Sequence, residues 1–191
     1  MKKLILFNMV TADGYFEDSN GSVDWHHADA EFNEFAIRQL NENGPLLFGR
    51  KTFAMMQDYW TSVAAFENNP VVAAIMRDKF KLVVSETIDN STWENTAFIG
   101  NDLFESVIRL KQQSDKDILM FGSATLAFSF RELGLIDEYR ILVNPILIGC
   151  GKPLFRQSDE RLPMKLVHVQ QFDSGNILLN YEPIIQKYLT L

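Results

Sequence analysis

The sequence predicts an α/β fold, with a mostly parallel sheet that ends in an antiparallel edge. Short apolar runs alternate with helical patterns over the first two-thirds of the chain, which is typical of strand–helix units in parallel sheets. The last third reads as strands, and two of them flank Asp173-Ser174-Gly175-Asn176, a hairpin signal. Since ligands of such sheets bind where the parallel strands end, we expect the functional site in the loops at 11–14, 49–52, 85–87 and 122–125.

Each element is recognised from its apolar pattern and from the residues at its ends. Asp29 can accept hydrogen bonds from the free N–H groups that begin a helix. Asn69-Pro70 begins another helix, because proline is tolerated at the first helical position. Gly44 and Gly134 end helices. The predicted strands cover residues 4–10, 46–48, 82–84, 97–99, 118–121, 139–143, 164–171 and 177–181.

Composition and charge narrow the range of functions. The 191 residues are 47% hydrophobic with a mean hydropathy of -0.08, which predicts one globular domain over residues 1–191. The net charge of -7 is scattered, which disfavours nucleic acid and anionic membranes as partners, and no apolar run is long enough to span a bilayer. The single cysteine, Cys150, permits no internal disulfide and favours a cytoplasmic location.

Two predicted strands run directly into a glycine and the start of a helix, an arrangement that suits phosphate groups. Glycine lets a ligand approach the backbone at Gly122-Ser123, and the free N–H groups that begin the next helix attract anions. In Gly49-Arg50-Lys51-Thr52 two cations oppose the helix dipole, which a bound anion explains. An ordinary strand–helix turn and a solvated basic turn are the alternatives. The repetition of one architecture favours phosphate binding.

The neighbouring residues indicate which nucleotide is bound. Neither turn has the glycine pattern of a Rossmann unit or the lysine of a P-loop. A Rossmann unit that binds NADH carries an acidic residue about 20 positions beyond its glycine turn, but Val143-Asn144-Pro145 stands there. Basic and hydroxyl groups that suit a 2′-phosphate are Arg50, Lys51, Ser85 and Thr87. We therefore predict NADPH rather than NADH.

Five segments in order resemble the dihydrofolate-reductase-like superfamily: a strand ending in DG, LLFGRKTF, VVSETI, ILMFGSATL and GLIDEYRILVNPILIGCGKPLF. The chain is most similar to the branch that contains the reductase domain of the bifunctional riboflavin-biosynthesis deaminase/reductase. The resemblance spans nearly the whole chain and implies a three-layer α/β/α fold. Its mostly parallel central sheet would have about eight strands and a C-terminal antiparallel hairpin. The resemblance also implies NADPH as hydride donor and a homodimer.

The resemblance assigns cofactor-binding roles to residues at the strand ends. Residues 49–52 would hold the adenine-side phosphates, with Ser85 near the 2′-phosphate. Residues 122–125 would take the pyrophosphate, and Ala12 would lie close to the nicotinamide. The implied cofactor-binding residues are Ala12, Gly49, Arg50, Lys51, Thr52, Ser85, Gly122, Ser123, Ala124 and Thr125.

The substrate side is predicted from the loop around Trp25. In dihydrofolate reductases a carboxylate on the first helix, shortly after a loop tryptophan, binds the pterin. Here Asp29 and Glu31 follow Trp25 at similar but not identical spacing. We predict that one of these two acids is the catalytic carboxylate that orients the substrate ring, and that Asp13 and Trp25 also bind substrate. Helix capping by Asp29 and a solvated Glu31 are the alternatives.

The resulting hypothesis is an NADPH-dependent reductase that transfers hydride to an imine or carbonyl carbon of a pyrimidine- or pterin-like molecule. It would be similar to the 5-amino-6-(5-phosphoribosylamino)uracil reductase of riboflavin biosynthesis. Tyr15 stands where that branch commonly carries a basic residue, which disfavours a phosphoribosyl substrate. Dihydrofolate reduction and non-catalytic binding of NADPH are the alternatives. His26 and His27 have no third ligand at metal spacing, so no metal is expected.

Overall fold

A computed structural model describes residues 1–100, 102–156 and 158–184. Residues 185–191, which close the predicted single domain, lie outside this range. The strands are β1 (Leu4–Thr11), β2 (Tyr15–Glu17), β3 (Leu46–Gly49), β4 (Lys81–Val84), β5 (Thr96–Ile99), β6 (Ile118–Phe121), β7 (Glu138–Asn144), β8 (Lys152–Pro153), β9 (Met164–Gln171) and β10 (Ile177–Pro183). The helices are α1 (Ala30–Glu42), α2 (Arg50–Trp60), α3 (Val63–Asn68), α4 (Pro70–Asp78), α5 (Leu103–Gln113) and α6 (Ala124–Glu132). None of these helices, all within the described residues, is long and apolar enough to cross a membrane.

Eight strands form one sheet in the order β5-β4-β3-β6-β1-β7-β10-β9. Each neighbouring pair from β5 to β7 is parallel, whereas β10 runs antiparallel to both β7 and β9. The predicted parallel sheet with an antiparallel C-terminal hairpin is therefore confirmed. The short strands β2 and β8 pair with each other, and neither they nor α3 follow from the sequence pattern. Strands of two or three residues are too short to show an alternating period.

Separate apolar clusters cover the two faces of the sheet. On one face Leu6 of β1 belongs to the cluster that includes Phe130 of α6. On the other face Ile5 belongs to the cluster that includes Phe35 of α1 and Phe53 of α2. Because β1 is covered on both sides, its residues form a nearly continuous apolar run. The result is the three-layer arrangement that the resemblance implied.

The strand order brings the ends of β3, β6 and β1 side by side. Phe48 of β3 and Phe7 of β1 both pair with Phe121, the last residue of β6. Gly49 ends β3 and Gly122 follows β6, so the two glycines are neighbours at one edge of the sheet. A single ligand at this edge can therefore contact both glycine turns.

Candidate cofactor and substrate site

The two glycine turns touch each other. The N–H of Gly49 donates to the carbonyl oxygen of Gly122 at 3.3 Å. A Cβ on Gly49 would lie 3.0 Å from Ser123 Oγ, and one on Gly122 would lie 2.9 Å from Thr52 Oγ1. Gly122 also has a φ of +47°, a backbone conformation that favours glycine. The close approach of the two turns thus depends on the absence of side chains.

Free backbone donors open at these turns. Ser123 caps α6 and its Oγ accepts a hydrogen bond from the N–H of Leu126 at 3.4 Å, as its position in the sequence predicts. Gly49 precedes α2 and offers no side-chain cap. The remaining first-turn N–H groups of both helices have no intrahelical acceptor and attract anions. Arg50 and Lys51, the first residues of α2, are exposed at this point.

Buried polar groups lie behind the glycine turns. The side chain of Thr52 contacts the Gly122 position, and Thr52 is only 7% exposed. Asn8 of β1 is 4% exposed, and its Oδ1 lies 3.5 Å from where a Cβ of Gly122 would be. The Nδ2 of Asn8 has no hydrogen-bond partner among the described residues. This amide is a buried donor, next to the turn, that a protein acceptor does not satisfy.

Ser85 follows β4, the strand that pairs with β3 at Gly49 and Val84. Its Oγ accepts hydrogen bonds from the N–H groups of Thr87 at 3.1 Å and Ile88 at 3.0 Å. These bonds hold the loop after β4, and they leave the hydroxyl hydrogen of Ser85 for a further acceptor. The roles predicted for Ser85 and for the residues of both glycine turns in binding a cofactor stay predictions.

Arg156 also reaches this site, although no motif in the sequence points to it. Its Nη2 donates to Thr125 Oγ1, in the first turn of α6, at 2.8 Å. Arg156 lies in the loop between β8 and β9, more than thirty positions beyond Thr125. No local pattern links two residues at that separation, so the contact emerges only from the fold.

The Asp13-Gly14 turn, on the predicted substrate side, is fastened to the loop after β7. Asp13 Oδ2 accepts from the N–H of Gly149 at 2.8 Å, and its Oδ1 accepts from the hydroxyl of Thr11 at 2.6 Å. The hydrogen bond from Thr11 is the largest of several effects that lower the pKa of Asp13. The Ala12 N–H donates to the carbonyl oxygen of Ile146 at 2.9 Å. Ala12 and Asp13 are therefore held in place, and contact with nicotinamide or substrate stays a prediction.

Two buried asparagines hold the loop that leads to α1. The Oδ1 of Asn144 accepts a hydrogen bond from the His27 N–H at 3.0 Å. The Nδ2 of Asn176 donates to the His27 carbonyl oxygen at 2.8 Å. Asn144 ends β7 and Asn176 precedes β10, and each is at most 1% exposed. The backbone N–H and carbonyl oxygen of His27 are thus both hydrogen-bonded to buried side chains, which fixes the loop that leads to α1.

Asp29 and Glu31 both have partners in the structure. Asp29 Oδ1 accepts from the Phe32 N–H at 2.8 Å, which confirms its role as the N-cap of α1. That hydrogen bond is the largest effect on the pKa of Asp29, and it lowers the pKa below its ordinary value. Glu31 Oε2 accepts from the Asp173 N–H at 2.7 Å, so it is not simply solvated. Their assignment as catalytic carboxylates stays a prediction.

Trp25 and His26 pack against each other beside the same loop. Their rings meet edge to face with centroids 4.4 Å apart. Neither Trp25 Nε1 nor His26 Nε2 has a hydrogen-bond partner among the described residues. Burial lowers the pKa of His26 to about 4, so the ring is neutral at physiological pH. Within the described ranges no group of three or more possible metal ligands occurs.

The amino-acid sequence matches a known protein family and is similar to a known relative. The RibD C-terminal domain family matches residues 2–178. A relative from Bacillus subtilis (strain 168), the uncharacterized protein YyaP, is 34% identical over 182 residues, which cover 94% of each chain.

Solved structures agree with the predicted fold. RibD from Acinetobacter baumannii has a TM-score of 0.73 at 19% identity, over 96% of this chain and 58% of that one. Dihydrofolate reductase from Enterococcus faecalis, solved with NADP(H), has a TM-score of 0.64 at 13% identity, over 95% and 96% of the two chains. At these identities the likeness confirms a dihydrofolate-reductase-like fold. Together with the match over residues 2–178, it shows that the chain belongs to the RibD C-terminal domain family.

Proposed function

We propose that the protein is an NADPH-dependent reductase that transfers a hydride to an imine or carbonyl carbon of a small pyrimidine- or pterin-like molecule. The observation that supports this most strongly is the contact between the Gly49 and Gly122 turns, beside the exposed Arg50 and Lys51. Membership of the RibD C-terminal domain family supports a reductase. The likeness to a reductase solved with NADP(H) supports this cofactor.

The residues at the sheet edge fit a phosphorylated dinucleotide. The free N–H groups that begin α6 would hold the pyrophosphate. Arg50, Lys51 and the Ser85 hydroxyl would hold the adenine-side phosphates, including the 2′-phosphate. Ala12, at the end of the neighbouring strand β1, would lie close to the nicotinamide. NADPH, when bound, supplies the hydride.

The distribution of charge favours an acceptor without a phosphate group. Every charged residue from Leu4 to Ile37, which includes the predicted substrate loop, is acidic. Lys152 contacts this segment, but it is paired with Glu17 at 3.2 Å. A phosphate group on the acceptor would be repelled by the carboxylates of this segment, because the segment has no lysine or arginine to pair with it. A neutral heterocycle is therefore favoured over a phosphoribosyl substrate.

Asp29 would act as an ionised group. Its pKa lies below the ordinary value because the Phe32 N–H stabilises the carboxylate. At neutral pH it can accept a hydrogen bond from a ring N–H, but it has no proton to give. We infer that Asp29 orients the acceptor ring and that the proton added with the hydride comes from another group.

The second candidate is a non-catalytic NADPH-binding protein. It is favoured by the hydrogen bonds that Asp29 accepts from the Phe32 N–H and that Glu31 accepts from the Asp173 N–H, because these bonds explain both acids without a substrate. Dihydrofolate reduction is the third candidate, because the fold is similar to that of a dihydrofolate reductase.

We also propose that the protein is a homodimer that pairs through β9. This edge strand is exposed along nearly its whole length, and Leu166 and Val169 are 47% and 49% exposed. Ile177 on the neighbouring β10 is 40% exposed. An uncovered apolar edge strand readily pairs with another chain. Analytical ultracentrifugation should show a dimer for the native chain and a monomer for Val169→Glu; a native monomer contradicts the proposal.

Oxidation of NADPH with a panel of acceptors tests the proposed activity. The panel contains dihydrofolate, neutral pteridines, and aminopyrimidine ribosides with and without a 5-phosphate. We expect turnover with a neutral member, faster with NADPH than with NADH. Tight NADPH binding without turnover of any member supports the non-catalytic candidate, and faster turnover of the phosphorylated riboside contradicts the charge argument.

A further inference from the structure

We infer that Arg156 is a third cation of the cofactor-phosphate site, and that it binds the pyrophosphate from the loop between β8 and β9. The inference rests on the proposed function, because it presumes a dinucleotide at the glycine turns. It adds a residue that lies far from both turns in the sequence. It also predicts which part of the dinucleotide that residue contacts.

The first observation is the contact itself. Arg156 Nη2 donates to Thr125 Oγ1 at 2.8 Å, and both residues are exposed. Thr125 lies in the first turn of α6, directly after the Ser123 cap. The guanidinium of Arg156 is therefore beside the N–H groups that would face the pyrophosphate. One of its five N–H donors contacts Thr125, and the others have no acceptor among the described residues, so they can bind phosphate oxygens.

The second observation concerns charge. The N-terminus of a helix carries a partial positive charge, which repels a cation unless an anion lies between them. Within the described residues Arg156 has no ion pair. By contrast, Arg131, at the other end of α6, contacts the Glu132 carboxylate at 3.6 Å. A structural arginine on this helix is thus paired at the favourable C-terminal end, whereas Arg156 is held at the unfavourable end.

The third observation is the buried donor beside Gly122. The Nδ2 of Asn8 has no partner among the described residues, although Asn8 is 4% exposed. An unpaired buried amide is costly and marks a place where a ligand atom or a water completes the hydrogen bonding. Asn8 lies against Gly122, and Gly122 leads directly to the Ser123 cap and Thr125. A buried donor at Gly122 and a cation at Thr125 thus lie along the same short segment of backbone.

The two coenzymes make this inference testable. NADPH and NADH share the pyrophosphate and differ only at the 2′-phosphate, so a residue at the pyrophosphate should matter equally for both. We would measure dissociation constants of both coenzymes by tryptophan quenching for the native chain, Arg156→Ala and Arg156→Lys. The matched control is Arg161→Ala, which removes the same charge from an exposed position in the same loop.

We expect Arg156→Ala to weaken the binding of NADPH and of NADH by a similar factor, about 10-fold for the loss of a charge-assisted hydrogen bond. Arg156→Lys should retain part of the affinity, and Arg161→Ala should bind like the native chain. The thermal midpoint should not change, because the side chain is exposed. Unchanged binding by Arg156→Ala, or a loss confined to NADPH, overturns the inference but leaves the proposed function intact. If the native chain binds neither coenzyme, the proposed function fails and this inference fails with it.

Discussion

The N–H of Gly49 donates a hydrogen bond to the carbonyl oxygen of Gly122 at 3.3 Å. These residues are 73 positions apart, yet they join two strand–glycine–helix turns at the ends of neighbouring parallel strands. The starts of α2 and α6 consequently open toward the same edge of the sheet. A ligand with more than one phosphate can contact both helices at once, which is the physical basis for proposing NADPH.

The substitution Gly122→Ala tests the need for a bare backbone at this contact. A methyl group would lie 2.9 Å from Thr52 Oγ1, and the φ of +47° is strained for alanine. We expect the free energy of unfolding to fall by about 1 to 3 kcal/mol and NADPH affinity to be lost. Thermal and chemical denaturation measure the first effect, and coenzyme titration measures the second.

Two further glycines separate strain from steric contact. Gly49 has an unstrained φ of -79°, but a Cβ there would lie 3.0 Å from Ser123 Oγ. Gly49→Ala should therefore reduce the affinity for the coenzyme more than it reduces the free energy of unfolding. Gly100 has open space around it, and Gly100→Ala should change neither. Native affinity in Gly122→Ala would show that the turn does not approach the coenzyme.

Arg50→Ala tests the preference for NADPH. If Arg50 contacts the 2′-phosphate, the variant should lose roughly 10- to 100-fold in NADPH affinity and much less in NADH affinity. Titration of both coenzymes at low ionic strength measures the ratio. Lys2→Ala, which removes an exposed cation before β1 begins, is the control. An equal loss for both coenzymes would assign Arg50 to a phosphate that they share.

Asp29 combines a structural role with a proposed functional one, and two variants separate them. Asn is a good N-cap, so Asp29→Asn should keep the stability of the protein, whereas Asp29→Ala should cost about 1 kcal/mol. Both variants should lower kcat/KM for the acceptor by about 100-fold while NADPH still binds. Full turnover by Asp29→Asn would reduce Asp29 to a helix cap and shift attention to Glu31→Gln.

His26 should make the protein less stable in acid. Burial lowers its pKa to about 4 in the folded state, whereas an unfolded histidine titrates near 6.5. Between these values the unfolded chain binds more protons, so the free energy of unfolding falls as the pH falls from 6.5 to 4. The contribution is fully present above pH 6.5 and amounts to about 3 kcal/mol, at roughly 1.4 kcal/mol for each pKa unit.

Urea denaturation at several pH values measures this dependence. In the variant His26→Gln the free energy of unfolding should depend less steeply on pH between 6.5 and 4. The part of the pH dependence that comes from other titrating groups will remain. The matched control is His27→Gln, which replaces the exposed neighbouring imidazole and keeps the backbone groups bound by Asn144 and Asn176. This control should keep the native slope. An unchanged slope in His26→Gln would mean that His26 is not buried in solution.

Local patterns predicted those parts of the fold that depend on neighbours in the sequence. The run at Ile118–Phe121 is buried on both faces and reads as a strand, and Asp29 caps a helix because of the residues that follow it. The sequence points to Gly122 because a strand and a helix meet there without a linker. These features are set by backbone sterics and by hydrogen bonds within a few residues.

Contacts between distant segments could not be predicted in the same way. Two sets of hydrogen bonds join elements that meet only after the sheet has formed. One links Asn144 and Asn176 to His27, and the other links Arg156 to Thr125. Asparagine and arginine in loops are common, so their types alone carry no signal. The family resemblance implies the overall topology, but it does not indicate the partners of Asp29 and Glu31.

A crystal structure of the protein with NADP⁺ bound would show directly whether both glycine turns bind one dinucleotide. We predict that the pyrophosphate lies between the two glycine turns, that its oxygens accept from the N–H groups of Ala124 and Thr125, and that the 2′-phosphate lies beside Arg50. A crystal that takes up no dinucleotide, or one that binds it with the pyrophosphate away from Gly49 and Gly122, contradicts the proposed cofactor site.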